Sequence, residues 1–161
     1  MGSIYDKLNF SMHNPPQFLY IEITPECNLR CKQCHHWMLK ESDNSLKTED
    51  KLNLIRQFHK MNKNGEVVLT GGETMSKIDE FFALTSLCRS LNLKSAANTN
   101  ATYISEEIVE KTLVQGPGAF VISLDSHLEH IHDYIRGVIT HPINGWLDGC
   151  EPSQRRPISF S

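Results

Sequence analysis

Four times along the chain, a short run rich in apolar and β-branched residues gives way to a stretch with helical spacing. The first strand-like run is Phe18 to Thr24 (FLYIEIT), which alternates apolar and polar residues and stops at Pro25. Glu66 to Thr70 (EVVLT), Leu93 to Thr99 and Ala119 to Leu124 (AFVISL) are the other three, and the last reads as a buried strand. Between and after them the spacing predicts helices. Thr48 to Asn62 puts Leu52, Ile55, Phe58 and His59 on one face, with Thr48 as cap and Gly65 as stop. Ser76 to Leu91 is apolar at Ile78, Phe81, Phe82, Leu84, Leu87 and Leu91. Ser105 to Leu113 opens on a cap and an acidic turn, and Ser126 to Ile135 has Ser126 as its cap. Parallel strands need a long crossover, which a helix supplies. The order therefore predicts an α/β fold: a parallel sheet with helices outside it, open or curled into part of a barrel.

That order also says where a site belongs. In such folds ligands sit at the carboxyl ends of the strands. Cys27, Cys31 and Cys34 follow the first strand, and Gly71-Gly72-Glu73 follow the second. Asn98 to Asn100 end the third, and Ser123-Leu124-Asp125 end the fourth. One mouth of the sheet gathers all four groups, and this convergence carries more weight than any single motif.

Composition narrows the class. A chain of 161 residues, 39% hydrophobic and 22% charged, is suited to one domain with an ordinary core. A formal net charge of -3 gives no general attraction to nucleic acid or to an acidic membrane surface. No apolar run approaches the roughly 18 to 20 residues that cross a bilayer. Met1 to Asn14 lacks the apolar core of a signal segment, so a cytoplasmic protein is expected. The five cysteines are an odd number, with Cys88 and Cys150 standing alone. A secreted disulfide scaffold spreads an even number along the chain, whereas three packed together read as a metal or cofactor site.

The packed cysteines form a C-x3-C-x2-C run, Cys27-Asn28-Leu29-Arg30-Cys31-Lys32-Gln33-Cys34. Thiolates are soft ligands that suit iron–sulfur clusters or zinc. A [4Fe–4S] cluster usually takes four cysteines, so three leave one iron open to a small chelating molecule. The competing reading is a Cys3His zinc module completed by His35 or His36. The spacing also matches a helix stripe, but Pro25, Asn28, Arg30, Lys32 and Gln33 do not suit a core helix.

The segment CNLRCKQC after the first strand resembles the signature of the radical S-adenosylmethionine (SAM) superfamily. LTGGET at Leu69 to Thr74 resembles that family's GGE motif. NTNAT at Asn98 to Thr102 and ISLDS at Ile122 to Ser126 resemble its third and fourth strand ends. HDYIRG at His132 to Gly137 resembles a segment of members that carry a C-terminal cysteine-rich extension of the SPASM type, which is absent here. The likeness covers residues 18–138.

The resemblance implies a partial (β/α) barrel of about four βα units and an oxidoreductase chemistry. Cys27, Cys31 and Cys34 would bind three irons of a [4Fe–4S] cluster, and SAM would chelate the fourth. Gly71 and Gly72 would let backbone approach the methionine part of SAM. Glu73 would stabilise the turn or neutralise the methionine ammonium. Asn100, Ser123 and Asp125 would face the ribose or the substrate. An electron, delivered by a reductant protein such as a flavodoxin or ferredoxin, would release a 5′-deoxyadenosyl radical that abstracts hydrogen from a peptide, a cofactor precursor or a small metabolite.

Some residues depart from the family pattern. Gln33 stands where an aromatic residue is common, with His35-His36-Trp37 after it and Trp37 as a candidate apolar neighbour. His127, His130 and His132 read as a solvated helix face rather than a metal site. Asp133 and Arg136 read as structural, as a local hydrogen-bond partner and a helix-end cation. Residues 1–17 read as a lead-in. Residues 139–161 break the βα rhythm and read as an irregular tail, as expected of a truncated or frame-shifted member. Cys150 there lacks a cysteine neighbour that would make it an auxiliary-cluster ligand.

Overall fold

The computed structural model describes residues 15–138. The expected tail, Cys150 and most of the lead-in lie outside the described residues. Four strands, β1 (Phe18–Thr24), β2 (Glu66–Gly71), β3 (Lys94–Thr99) and β4 (Ala119–Ile122), pair in parallel in the order β1-β2-β3-β4. Each is followed by a helix: α1 (Thr48–Met61), α2 (Ile78–Ser90), α3 (Glu106–Gln115) and α4 (Glu129–Arg136). The fold is the expected α/β unit, a stretch of parallel sheet of the kind found in a partial barrel.

Period-two alternation decides which face of the sheet is covered. Ile21 and Ile23 of β1, Val67 and Leu69 of β2 and Ala97 of β3 form one buried cluster with Ile55, Phe58, Phe81, Phe82, Leu84 and Cys88. Phe18, Tyr20 and Glu22 point the other way and stay exposed. Lys51 of α1 is also buried. Its Nζ donates to Ile23 O at 2.6 Å and pairs with Glu80 at 2.9 Å, so one cation ties α1 to β1 and α2.

Several local expectations change. Thr48 is the first helical residue rather than the cap. Lys47 occupies the cap position, and its N–H donates to Asp50 Oδ2 at 3.2 Å. The second helix is split into a 3-10 turn over Thr74–Lys77 and then α2, because Glu73 caps the turn through Met75 N–H. Ser105 does cap α3, accepting from Ile108 N–H. Ser126 does not cap α4: it lies two residues before the cap position, which Leu128 holds, and its hydroxyl accepts from Leu128 N–H. β4 is not a buried strand. Only Phe120 is half-buried, because β3 is its sole strand neighbour among the described residues.

Candidate functional site

The cysteine loop begins where the β1–β2 ladder runs past the strand ends. The register shifts between Glu22 and Thr24, and Thr24 lies opposite Gly71. Gly72 N–H then donates to Thr24 O at 2.8 Å and Glu73 N–H to Glu26 O at 2.9 Å. This leaves no room for side chains at the glycines. A Cβ on Gly72 would stand 1.9 Å from Glu26 O, and one on Gly71, which has φ +122°, would stand 2.4 Å from Thr24 O. The two glycines are thus needed for contact with the cysteine loop itself.

Glu73 is completely buried. Its Oε1 accepts from Met75 N–H at 3.0 Å and from the Thr99 hydroxyl at 2.6 Å, and its Oε2 accepts from Asn100 N–H at 2.8 Å. Three donors on one carboxylate offset the cost of burying it and lock the ends of β2 and β3 together. These bonds tie Glu73 to the turn that follows β2 and to the end of β3.

Asn100 continues the link to the cysteines. Its Nδ2 donates to Asn28 Oδ1 at 2.9 Å and lies 3.8 Å from Cys27 Sγ. Its Oδ1 accepts from Thr102 N–H and from the Thr102 hydroxyl, while Asn28 Nδ2 donates to that hydroxyl at 2.8 Å. Burial pushes the Cys27 thiol above its ordinary range. A backbone hydrogen bond at Leu29 opposes this, and the nearby charges of Cys31, Glu73 and Cys34 add to it. All four cysteines in the described residues are free thiols, with Cys31 buried and Cys27 and Cys34 half-buried.

The second half of the loop rests on α4. Lys32 N–H donates to Ile135 O at 2.9 Å. Gly137 ends α4 in the left-handed region, φ +68°, with its Cα face against Arg30, where a Cβ would stand 2.2 Å from the carbonyl oxygen. Arg136 Nε lies 2.6 Å from Asp125 Oδ2, an ion pair rather than an aligned hydrogen bond, and Arg136 Nη1 lies 3.8 Å from Cys31 Sγ. Gln33 Nε2 donates to the same Asp125 oxygen at 3.3 Å. Ser123 continues the sheet edge, its N–H donating to Thr99 O at 3.0 Å.

The structure therefore brings Cys27, Cys31, Cys34, Gly71, Gly72, Glu73, Asn100, Ser123 and Asp125 to one mouth. Sequence reasoning carried Asn28, Thr99 and Thr102 only inside the quoted segments and gave them no individual part in the network. It also gave Arg136 a purely helix-end role, although an arginine on the helix after a site-bearing strand end was a usable signal. Trp37 is half-buried beneath the Arg30 guanidinium, 5.9 Å from its ring centre. His36 Nδ1 lies 3.2 Å from Pro25 O. His127 and His130 are exposed, and Asp125 N–H donates to His132 Nδ1 at 3.3 Å. Among the described residues no group of three His, Cys, Asp or Glu side chains converges as one metal ion requires.

The chain is thus a parallel α/β scaffold with three free thiols on the loop after its first strand. The model of the radical SAM superfamily matches residues 21–154, and the chain belongs to that superfamily. It is 28% identical over 129 residues to an AdoMet-dependent heme synthase of Methanosarcina barkeri, covering 80% of this chain and 36% of that protein. It is 31% identical over 114 residues to a GTP 3',8-cyclase of Clostridium botulinum, covering 68% of this chain and 35% of the other. Streptococcus suis SuiB bound to S-adenosylmethionine superposes with a TM-score of 0.64 at 26% identity, over 76% of this chain and 28% of SuiB. SuiB has also been solved with its precursor peptide SuiA. The chain thus spans about a third of the length of these relatives. The family implies SAM and an iron–sulfur cluster as cofactors. No described helix is long and apolar enough to cross a membrane.

Proposed function

We propose that this chain carries the cluster-binding and part of the SAM-binding portion of a radical SAM enzyme, with Cys27, Cys31 and Cys34 holding three irons of a [4Fe–4S] cluster. The observation that carries the reading is the placement of three free thiols on the loop directly after β1, a loop tied by Thr24 O and Glu26 O to the Gly72–Glu73 turn and by Asn100 to Cys27. Soft thiolates suit iron, and a set of three leaves one coordination corner for SAM. When bound, the cluster and SAM supply a 5′-deoxyadenosyl radical able to take a hydrogen atom from substrate.

The residues of this chain hold and orient. Gly71 and Gly72 keep the cysteine loop flush against β2, so that main-chain groups rather than side chains face the methionine part of SAM. Glu73 fixes the turn that presents them. Asn100 steadies Cys27 through Asn28, while Ser123 and Asp125 offer polar groups toward the ribose or the substrate. A one-electron donor such as a reduced flavodoxin or ferredoxin completes the partners.

Anaerobic iron–sulfur reconstitution followed by electron paramagnetic resonance of the reduced protein, with and without SAM, tests this. The expected outcome is a [4Fe–4S] signal that changes on adding SAM and disappears in Cys27→Ala, Cys31→Ala or Cys34→Ala. A signal indifferent to SAM leaves a cluster-binding remnant. Retention of zinc with no uptake of iron overturns the reading in favour of a zinc module.

A further inference from the structure

Arg136 reaches the cysteine loop from the last turn of α4, and its surroundings are more elaborate than a helix-end cation requires. Its side chain is 13% exposed, and that of its partner Asp125 is 23% exposed. Arg136 is the sheltered partner, while Asp125 stands at the surface, so water screens the pair only in part. Asp125 Oδ2 takes Arg136 Nε at 2.6 Å and Gln33 Nε2 at 3.3 Å, while Arg136 Nη1 points to Cys31 Sγ at 3.8 Å. The backbone holds this arrangement in place: Ile135 O accepts from Lys32 N–H, and Gly137 lies against Arg30. Arginine suits the position because its planar fork can face a carboxylate and a sulfur at once.

Resting on the cluster reading above, we infer that Arg136 and Asp125 are positioning residues that set the reduction potential of the cluster through Cys31. Reduction adds one electron, delivered by an external donor, and increases the negative charge on the cluster and its sulfurs. A guanidinium donating to one of those sulfurs stabilises the reduced form and raises the potential. Asp125 offsets part of that charge, so the two residues pull the potential in opposite directions. A purely structural role has no such signature, because loss of either partner would loosen the same contact.

The test uses the full chain and three variants, R136Q, R136K and D125N, each reconstituted anaerobically. Circular dichroism and iron content are measured first, and then a redox titration is followed by electron paramagnetic resonance. R136Q is expected to shift the reduced-to-oxidised ratio at fixed potential about tenfold toward oxidised, a fall of about 59 mV for a one-electron couple. D125N shifts it the other way, and R136K recovers part of the loss. Unchanged potentials, or R136Q and D125N moving together, overturn the inference. If R136Q loses the cluster, opposite shifts in R136K and D125N support the inference and parallel or absent shifts overturn it. A wild-type chain that takes up no iron defeats the cluster reading and this inference with it. A loaded wild type with a flat variant series defeats the inference alone.

Discussion

The cysteine loop spans two regions of unequal construction. On one side, β1, β2 and β3 with α1 and α2 enclose a finished core, in which Ile23, Ile55, Val67, Leu69, Phe81 and Leu84 are at most 1% exposed. On the other, α3 and α4 bury no residue completely, and Leu113, Val114 and Val121 are 73%, 72% and 57% exposed. Cys27 is tied to the finished side through Gly72, Glu73 and Asn100. Cys31 and Cys34 lie on the part of the loop tied to α4. The difference teaches that the cysteine loop has one rigid abutment and one whose stability comes from a few polar contacts. Burial drives cohesion in the first region, while the Lys32–Ile135 bond, the Gly137 contact and the Arg136–Asp125 pair hold the second.

The largest expected effect is in the finished core. Phe81→Ala removes a fully buried ring that stacks on Phe120 and meets Phe82 edge-on, and should cost about 3–5 kcal/mol in urea unfolding. A loss below about 1 kcal/mol would break the contrast between the two regions.

Cys88 gives an effect of a few kcal/mol that depends on pH. Burial pushes its thiol up to about 12 from an ordinary 9.0. The unfolded chain releases this proton near pH 9 while the folded chain keeps it. Stability is therefore full below about pH 9 and falls as pH rises toward 12. Cys88→Ala should flatten that alkaline decline relative to the parent, and an identical decline in both would show that the thiol does not contribute. At pH 8 an alkylating reagent should label the half-buried, cluster-free Cys34 first, Cys27 more slowly because its thiol is raised, and Cys88 only after denaturant is added.

Gly72→Ala tests the junction between the regions. The new Cβ meets backbone that cannot step aside, so a loss of about 2–3 kcal/mol and weaker iron retention are expected, read by thermal melting and iron content. A normal melt with normal iron would show that the loop has more freedom than the contacts imply. The smallest effect belongs to the open side. Val121→Ala on β4 should change stability by less than about 0.5 kcal/mol, checked in the same unfolding experiment. A cost as large as that of Phe81→Ala would erase the comparison.

Much of the fold was legible in the residues. The alternating apolar run FLYIEIT, the repeated βα order and the Ser105 cap all led to elements that are present, and the sheet is parallel as the crossovers require. Strand ends were read less well on the fourth unit. AFVISL has the composition of a buried strand, yet burial depends on having neighbours on both edges and a covered face, which composition does not encode. Helix starts shifted at Thr48 and Ser126 because capping is decided by local backbone geometry, and several polar residues near each start were eligible.

By itself, the sequence determined the alternation of strands and helices, the single mouth to which the motif residues are carried, and the membership of a family with a three-cysteine loop. The first two follow from periodicity and the order of elements, which are local along the chain, while the membership rests on the resemblance of CNLRCKQC and LTGGET to the family's motifs and on the superfamily match over residues 21–154. Only the tertiary structure decided that Gly71 and Gly72 serve the cysteine loop, that Glu73 is wholly buried beneath three donors, and that Arg136 faces Cys31 across 105 positions of sequence. Such contacts arise where loops from separate βα units meet at the strand ends, and which atoms meet there depends on the register and twist of the sheet that brings them together.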